Sequence, residues 1–465
     1  MTAIDQLPGI ENATLIPRDQ HPISRKQLSP NALKVLYRLT EHGFAALIVG
    51  GGVRDILLDK QPKDFDVATD ATPEDVRNLF KNARIIGRRF KIVHIRFGRE
   101  IIEVTTFRAH HQATNEIAGQ ASRREIGGLD SAHSTTGMIL RDNVYGDIDE
   151  DAMRRDFTVN ALYYTIDGFR ILDFCNGLED LEARQLRMIG SPEERYREDP
   201  VRMLRAVRFA AKLDFTIEPG TRHPITELAP LLESISPARL FDETIKLLTC
   251  GQAEHAFRLL QETGLAEFMF TPTLEAMAVA PEPSVKLVNL ALRNTDQRLN
   301  QGKSVTPAFL FAALLWPCLQ LRQARIDSDD TGPPLTFQQI TNDIIFDQLG
   351  YTAIPKRFTI GSREIWDLQR RLERRTKRSV ASAFGHPKFR AGYDFLLLRE
   401  ESGEDLDGLG DWWTTFQNSD KNQQEEMVAA LSGDGNKSRR RKRRRGGKQK
   451  SGNDGSGSEG SGNQR

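Results

Sequence analysis

The chain has 465 residues, of which 38% are hydrophobic and 28% are charged, and its formal net charge is +1 at pH 7. This length exceeds what one hydrophobic core supports and predicts several domains. The longest apolar run, Ala308 to Trp316, is too short to cross a membrane. Three widely spaced cysteines, Cys175, Cys250 and Cys318, exclude a disulfide framework or zinc cluster and favour a reducing, cytoplasmic location.

The near-neutral charge conceals an uneven distribution. Residues 437–450 hold ten Lys and Arg and no acid, so the rest of the chain is net acidic. Such a body cannot hold a polyanion such as a nucleic acid by its overall charge, and any binding of this kind would depend on local basic faces and on this tail.

The first predicted elements lead into one glycine-rich stretch. Residues 1–30 are polar and interrupted by prolines, which predicts a mobile arm, and an amphipathic helix follows around Leu33 to Leu39. An apolar run, Ala45 to Val49, then breaks at Gly50, Gly51 and Gly52 before a short helical pattern and a polar turn. We interpret this order as strand, glycine turn, helix and strand.

Two acids follow this turn, Asp64 and Asp66. Alternate side chains share one face of a strand, so both carboxylates are expected to point together while Phe65 points into a core. Mg²⁺ prefers oxygen ligands and accepts phosphates in its coordination shell, so it would remove the repulsion between the two acids. Glycines without side chains allow backbone N–H groups to approach a polyphosphate. The combination predicts chemistry on a nucleoside triphosphate.

Further along, residues 71–81 predict a helix and residues 85–107 a β region. Glu103 would therefore project from a strand neighbouring that of Asp64 and Asp66. From His110 to about Gly137 no hydrophobic period is present, which predicts a flexible loop. Order resumes at Asn143, and the pattern beyond Gly177 is mostly helical.

These patterns predict an α/β head with a mixed β-sheet, followed by all-α neck and body domains and a disordered basic tail. The predicted segments are the flexible arm 1–30, the head 31–175, the helical neck 176–250, the helical body with RNA-binding surfaces 251–400, a helical extension 401–431 and the tail 432–465.

The motif from Val49 to Asp55, followed by Asp64-Phe65-Asp66, resembles the class II nucleotidyltransferase head. This head is shared by tRNA CCA-adding enzymes and bacterial poly(A) polymerases, and the chain is similar to the poly(A) branch from about Leu33 to Arg399. The segment from Ile85 to Ile95 resembles the signature that separates the two branches.

The resemblance implies a polynucleotide adenylyltransferase that adds AMP from ATP to RNA 3′ ends by a two-metal mechanism. Its expected cofactor is Mg²⁺, with Mn²⁺ as an alternative, and its expected partners are ATP, RNA 3′ ends and RNA-decay proteins. Two alternatives stay open: a CCA-adding tRNA nucleotidyltransferase with the same head chemistry, and a catalytically inactive RNA-binding protein of the same fold.

The resemblance also implies the site residues in the head. Asp64 and Asp66 are the expected metal ligands, and a third acid is either Glu103, by strand geometry, or Asp149, by the family's motif. The expected nucleotide contacts in the head are Gly50, Gly51, Arg54 and Arg155. Arg54 has an alternative interpretation as a salt bridge to Asp55 or Asp59.

A second motif, from Glu198 to Ala210, predicts a helix with Asp199 as its N-cap and Pro200 as its first residue. Asp199 and Arg202 would offer an acceptor and a forked donor to a base edge. Arg205 and Arg208 would extend the arginine row toward phosphates. In the related enzymes this motif resembles the protein template that selects the incoming base.

Overall fold

The computed structural model describes residues 4–87, 91–109, 116–117, 131–134, 139–142, 144–328 and 335–431. The predicted tail 432–465, most of the predicted loop 110–137 and Arg88 to Phe90 of the branch signature lie outside these residues. Two compact units are formed: Met1–Val279 with Leu292–Val305 and Leu321–Ile354, and Ala280–Ala291 with Thr306–Gln320 and Pro355–Arg465. None of the described helices is long and apolar enough to cross a membrane.

The described part of the chain contains thirteen strands, all of them in the first unit. They are β1 (Thr14–Ile16), β2 (Ala46–Val49), β3 (Asp66–Thr69), β4 (Ala83–Ile86), β5 (Ile92–Phe97), β6 (Glu100–Thr106), β7 (Glu116–Ile117), β8 (Ser131–Ser134), β9 (Ile139–Asp142), β10 (Leu162–Thr165), β11 (Ile171–Asp173), β12 (Gln185–Leu186) and β13 (Thr216–Ile217).

Eight of these strands form the central sheet in the order β1-β11-β10-β2-β3-β6-β5-β4. Neighbouring strands are antiparallel except β3 and β6, which are parallel. The mixed sheet confirms the predicted α/β head. Strands β7, β8 and β9 form a separate small sheet, and β12 pairs with β13.

The helices up to residue 279 lie in the first unit as well. They are α1 (Pro30–Glu41), α2 (Gly51–Leu57), α3 (Pro73–Leu79), α4 (Ile148–Met153), α5 (Gly177–Glu182), α6 (Pro192–Glu198), α7 (Val201–Leu213), α8 (Pro219–Leu228), α9 (Pro237–Leu248), α10 (Ala253–Glu262) and α11 (Thr271–Val279).

Local sequence explains where the first helices begin. Ser29 accepts hydrogen bonds from the N–H groups of Asn31 and Ala32 at the start of α1, whose Val35, Leu36 and other apolar residues are buried. Thr72 forms a capping box with Asp75 at the start of α3. The predicted order of strand, glycine turn, helix and strand is confirmed by β2, α2 and β3.

The N-terminal segment differs from the prediction of a mobile arm. β1 pairs with β11 at the edge of the central sheet, and Ile23 is fully buried. Ile4 and Leu7 are buried in one hydrophobic cluster with residues of the central sheet and of α4, among them Val49 and Ala152. The prolines and polar residues in this segment masked a few apolar side chains that cover one face of the sheet.

The predicted boundary between neck and body at residues 250 and 251 is not where the two units separate. α10 packs against α7 and α9 and therefore continues the first unit. The remaining helices are α12 (Pro281–Asn300), α13 (Pro307–Leu314), α14 (Trp316–Ser328), α15 (Phe337–Leu349), α16 (Lys356–Arg374), α17 (Lys377–Phe384), α18 (Phe389–Glu401) and α19 (Leu409–Asn418). The predicted all-α character beyond the head is confirmed apart from the short pair β12–β13.

The second unit has its own helical core. Trp366 on α16 is fully buried, and its indole N–H donates to the carbonyl of Ala312 on α13 at 3.0 Å. Trp413 on α19 lies in a second cluster with Leu372 and Tyr393. This packing accounts for the apolar side of α16, while its basic side stays at the surface at Lys356, Arg370 and Arg374.

Candidate active site

Two carboxylates lie side by side on the central sheet. Asp66 at the start of β3 pairs in register with Glu103 of β6, so the two side chains share one face of the sheet. They line a cavity of about 220 Å³ together with cationic, acidic and neutral side chains. The full lining is Val49, Asp66, Glu103, Thr105, Arg108, Asp151, Arg154 and Arg155.

Burial and neighbouring acids both disfavour the ionised form of Asp66. Burial raises the pKa of its carboxyl group to about 6, and the charges of Glu103 and Asp64 act in the same direction while Arg155 opposes them. The protein therefore holds acidic groups where they repel one another. A site of this kind becomes favourable when a cation binds.

Asp64 takes a different position from the one predicted. β3 begins at Asp66, so Asp64 precedes the strand and is exposed, although its charge still acts on Asp66. Phe65 is buried as expected. A Cβ atom at Gly52 would lie 3.2 Å from its ring, which explains the need for a small residue there.

Of the two candidates for the third acid, the structure brings only Glu103 into the cavity. Asp149 lies on α4, where its Oδ2 accepts a hydrogen bond from the Asn12 side chain at 2.7 Å. The prediction for Asp149 is therefore corrected. The α4 residues that do reach the cavity are Asp151 and, directly after the helix, Arg154 and Arg155, because the N-terminal segment occupies the side of α4 that carries Asp149.

The glycine turn has the predicted shape. Gly50 has φ 72° and ψ −130°, a conformation that disfavours side chains, and its N–H donates to the carbonyl of Leu162 at 3.2 Å. A Cβ atom at this position would lie 3.8 Å from Nη1 of Arg155. Gly50 therefore lies next to a cation of the cavity, and Gly51 begins α2.

Arg54 is buried rather than presented to solvent. Its guanidinium pairs with Asp55 at 2.5 Å and donates to the side chain of Asn160, and only 2% of the residue is exposed. The alternative interpretation, a salt bridge to Asp55, describes the structure, and the phosphate contact at Arg54 stays a prediction. Nothing in the isolated motif signalled the Asn160 partner.

Arg155 is held by partners that the sequence did not reveal. Its guanidinium contacts Asp151 at 2.8 Å and the hydroxyl of Tyr163 at 2.8 Å. Although burial alone would raise the pKa of Asp151, the charges of Arg155 and Arg154 lower it overall. Asp151 is thus an anchoring carboxylate that fixes Arg155 beside Asp66. Asp151 is the last of three consecutive acids that begin with Asp149, and the orientation of α4 decides which of the three faces Arg155.

The helix of the base-selecting motif begins one residue later than predicted. α7 starts at Val201, and Asp199 is the C-cap of α6. Both oxygens of Asp199 pair with the guanidinium of Arg239, at 2.7 and 2.5 Å, and Arg202 donates to Glu198 at 2.7 Å. The two predicted base-reading groups are therefore each oriented by an internal partner.

The other two arginines of α7 are also paired. Arg205 contacts Asp156 at 2.6 Å and Arg208 contacts Glu243 at 2.5 Å, while the ring of Phe209 lies beneath three guanidinium groups at 4.4 to 5.3 Å. Burial raises the pKa of Asp156, but Arg205 and hydrogen bonds lower it to about 2. The predicted row of arginines directed toward phosphates is corrected to a set of internal ion pairs.

The acidic pair fits a divalent cation. Asp66 and Glu103 supply oxygen ligands and a repulsion that a cation would relieve. Within the described ranges no three His, Cys, Asp or Glu side chains converge closely enough to hold a metal ion alone. A cation here would need further oxygens from a substrate phosphate, as Mg²⁺ commonly does.

Comparison with known proteins now identifies the family. A family model described as the Poly A polymerase head domain matches residues 46–187, a probable RNA and SrmB-binding site of polymerase A matches 214–277, and an arginine-rich polymerase A C-terminus matches 331–447. Poly(A) polymerase I of Salmonella typhimurium is 47% identical over 442 residues, which cover 94% of this chain and 93% of that protein. The chain belongs to the poly(A) polymerase I family.

The CCA-adding enzymes are similar over a smaller part of the sequence. The enzyme of Lactobacillus johnsonii is 38% identical over 253 residues, 54% of this chain and 58% of that enzyme. A solved structure of the Thermotoga maritima CCA-adding enzyme complexed with tRNA covers 85% of this chain and 84% of its own, with 17% identity and a TM-score of 0.53. The two branches share the fold, whereas similarity over nearly the full length identifies this member of the poly(A) polymerase I family as an adenylyltransferase.

Proposed function

We propose that this chain transfers AMP from ATP to the 3′-hydroxyl of RNA. The observation that carries the proposal is the Asp66–Glu103 pair in a cavity that also contains Arg108, Arg154 and Arg155, in a chain 47% identical to poly(A) polymerase I. The 3′-hydroxyl loses its proton to solvent and its oxygen forms a bond to the α-phosphorus. The bond between that phosphorus and the oxygen bridging it to the β-phosphorus breaks, and pyrophosphate leaves with the electron pair.

The chain's own residues have separate tasks in this reaction. Asp64, Asp66 and Glu103 would hold two divalent cations, Mg²⁺ or Mn²⁺, which lower the pKa of the attacking hydroxyl and offset charge on the departing pyrophosphate. Arg155, fixed by Asp151 and Tyr163, would face the triphosphate without being reoriented during the reaction. The cavity of about 220 Å³ is smaller than most nucleotide-sized pockets, which suits the phosphates rather than the whole nucleotide.

The neck motif would read the base. Asp199 can accept a hydrogen bond from an exocyclic amine and Arg202 can donate to a ring nitrogen. Their partners Arg239 and Glu198 would limit how each side chain can turn toward the base. We infer that this pre-organisation, rather than a nucleic-acid template, selects ATP.

The decisive experiment supplies purified protein with an unstructured RNA and each nucleoside triphosphate singly. Long tails from ATP alone are expected. In a parallel reaction with a truncated tRNA and both CTP and ATP, addition that stops after C-C-A would establish the CCA-adding alternative. Asp66→Ala should abolish addition and leave RNA affinity nearly unchanged. Asp59→Asn is the matched control, since Asp59 is exposed and has the positive φ that Asn tolerates.

The proposal includes RNA contacts by residues outside the catalytic site. The exposed cations of α16 and the polycation 437–450 would bind the RNA backbone without reading its sequence. Deleting residues 437–465 should weaken RNA binding at moderate salt and leave the rate at saturating RNA unchanged. An unchanged dependence of affinity on salt would contradict this tether.

A cytoplasmic location and RNA-decay proteins as partners complete the proposal. The three cysteines lie far apart in the sequence and none forms a disulfide within the described residues, which supports a reducing compartment. The match of residues 214–277 to a probable RNA and SrmB-binding site directs the search for protein partners to α8, α9 and α10. Cross-linking from substituted positions on these helices would test it.

A further inference from the structure

A row of charged side chains crosses four neighbouring strands of the central sheet. Asp66 on β3 lies opposite Glu103 on β6, Glu103 lies opposite His94 on β5, and His94 lies opposite Arg84 on β4. Side chains directly opposite each other share a face and interact. The acids of the catalytic cavity therefore continue into a histidine that the proposed reaction has not used.

His94 contacts Glu103 directly. Its Nε2 lies 3.1 Å from Oε1 of Glu103, and the two side chains are 26% and 45% exposed. Because an ionised carboxylate only accepts hydrogen bonds, Nε2 is the donor. The bond engages one Glu103 oxygen and leaves the other available on the same sheet face as Asp66.

We propose that His94 is a positioning residue that holds Glu103 for metal binding opposite Asp66. A glutamate has several rotatable bonds, and a half-exposed one beside another carboxylate would otherwise turn away from it. Anchoring of a metal-binding carboxylate by a neighbouring hydrogen bond commonly changes metal affinity or activity by about 10–100-fold. This inference rests on the proposed function, since it assigns a task within the same site.

The competing interpretation is an ordinary surface pair. An exposed ion pair contributes little to stability and nothing specific to catalysis. The two interpretations differ in what substitution changes: a positioning residue alters turnover and metal affinity, whereas a surface pair alters stability alone.

Three variants separate these interpretations. His94→Phe keeps a ring suited to a strand but removes the donor, and His94→Gln restores an amide donor near the position of Nε2. Arg96→Gln is the matched control, because Arg96 is two residues along β5 and donates to the carbonyl of Gly98. For each variant we would measure kcat and KM for ATP, the affinity for Mn²⁺ with a non-hydrolysable ATP analogue by electron paramagnetic resonance, and Tm.

We expect His94→Phe to lower kcat about 10–100-fold and to weaken Mn²⁺ binding about tenfold, with KM for ATP changed less than about twofold. In His94→Gln, kcat and Mn²⁺ affinity should stay within about threefold of wild type. In Arg96→Gln, both should equal those of wild type. Wild-type kcat and Mn²⁺ affinity in His94→Phe, or equal losses in His94→Phe and His94→Gln, would overturn the proposal.

Asp66→Ala measured alongside distinguishes the two levels of inference. If Asp66→Ala is inactive while His94→Phe matches wild type, the positioning role fails and the proposed function stands. If Asp66→Ala retains wild-type activity, the proposed function itself fails.

Discussion

Acidic residues meet opposite surroundings on the sheet and next to the neck helix α7. Asp66 is largely buried and faces another carboxylate across a strand pair, and both effects raise its pKa, to about 6. Asp156 faces Arg205, and its pKa is lowered to about 2. The difference shows which carboxylates the fold has already neutralised and which ones require a cation from outside the chain.

The carboxylates that stabilise the fold and those proposed to act in the reaction lie in different places. Asp156 of the head and the neck carboxylates Asp199 and Glu243 each pair with a neck arginine that is distant in sequence, so these ion pairs tie separate segments together. The sheet pair Asp66 and Glu103 opposes folding while it is ionised. Sites that weaken the fold at the place where the reaction occurs are expected when function requires unpaired charge.

The largest effect should come from Asp66→Asn. We expect nucleotide addition to fall at least about a thousandfold, as for loss of a group acting in the transition state. The apoprotein should become more stable at pH 7 by on the order of 1 kcal/mol, because the substitution removes a repelled charge. RNA extension and urea unfolding in metal-free buffer measure the two quantities.

The pH dependence of this stabilisation has a definite sign. The folded-state pKa of Asp66, about 6, lies above its usual value of 3.8, so ionised Asp66 destabilises the fold as pH rises through this range. The stability gained by Asp66→Asn should therefore be absent below about pH 4 and complete above about pH 6. Destabilisation at pH 7 would contradict the repulsion that defines the sheet region.

The buried part of the N-terminal segment provides the second test. Leu7 is buried in the cluster that contains Val49, the strand neighbour of Asp66. Leu7→Ala should cost about 2–3 kcal/mol in unfolding free energy, near the lower end for buried leucines. Leu15→Ala is the control, since Leu15 is 44% exposed in the adjoining β1. Equal stability of the two variants would support the original prediction that residues 1–30 form a mobile arm.

Removing a charge from the neck helix α7 should destabilise the protein, whereas removing the charge of Asp66 should stabilise it. Arg205→Met leaves Asp156 buried without its guanidinium and should destabilise the protein by about 2 kcal/mol, below the usual range for buried pairs because Arg205 is one-third exposed. The double variant Asp156→Asn with Arg205→Met should recover part of this loss, since the uncompensated charge is gone. Full additivity of the two substitutions would show that the pair is not coupled.

The Asp156 pair also predicts behaviour in acid. Because its folded-state pKa, about 2, is below the usual 3.8, the stabilisation is complete above about pH 4 and is lost as pH falls toward 2. The stability difference between wild type and Arg205→Met should shrink over that interval. Urea unfolding at pH 7, 5, 4 and 3 measures it.

Local patterns were sufficient for the elements around the site but not for its ion pairs. The order of β2, glycine turn, α2 and β3 follows from apolar runs, glycines and a proline within about twenty residues. The proximity of Glu103 followed from adjacent strands. Arg239, the partner of Asp199, lies forty residues away on α9, and no local period indicates which arginine of a basic sequence turns toward which acid.

Asp149 shows the same limit on a smaller scale. In a run of consecutive acids on a helix, only some can face the sheet, and the orientation of α4 depends on what packs against it. Asn12 and the buried Ile4 and Leu7 contribute to that orientation, but the sequence predicts a mobile arm for their segment. Without these contacts the sequence alone does not distinguish Asp149 from Glu103 as the third acid.

The smallest expected effect concerns base choice. Arg239→Met should free Asp199 to rotate and lower the ratio of kcat/KM for ATP over CTP about tenfold, roughly the discrimination of one well-placed hydrogen bond. Arg222→Met is the control, because it breaks an exposed pair with Glu262 in the same unit. If Arg239→Met keeps its preference for ATP and loses only stability, the ion pairs of the neck stabilise the fold and do not contribute to base choice. A selective change in the ATP-to-CTP ratio at unchanged Tm would show that an internal ion pair can also set specificity.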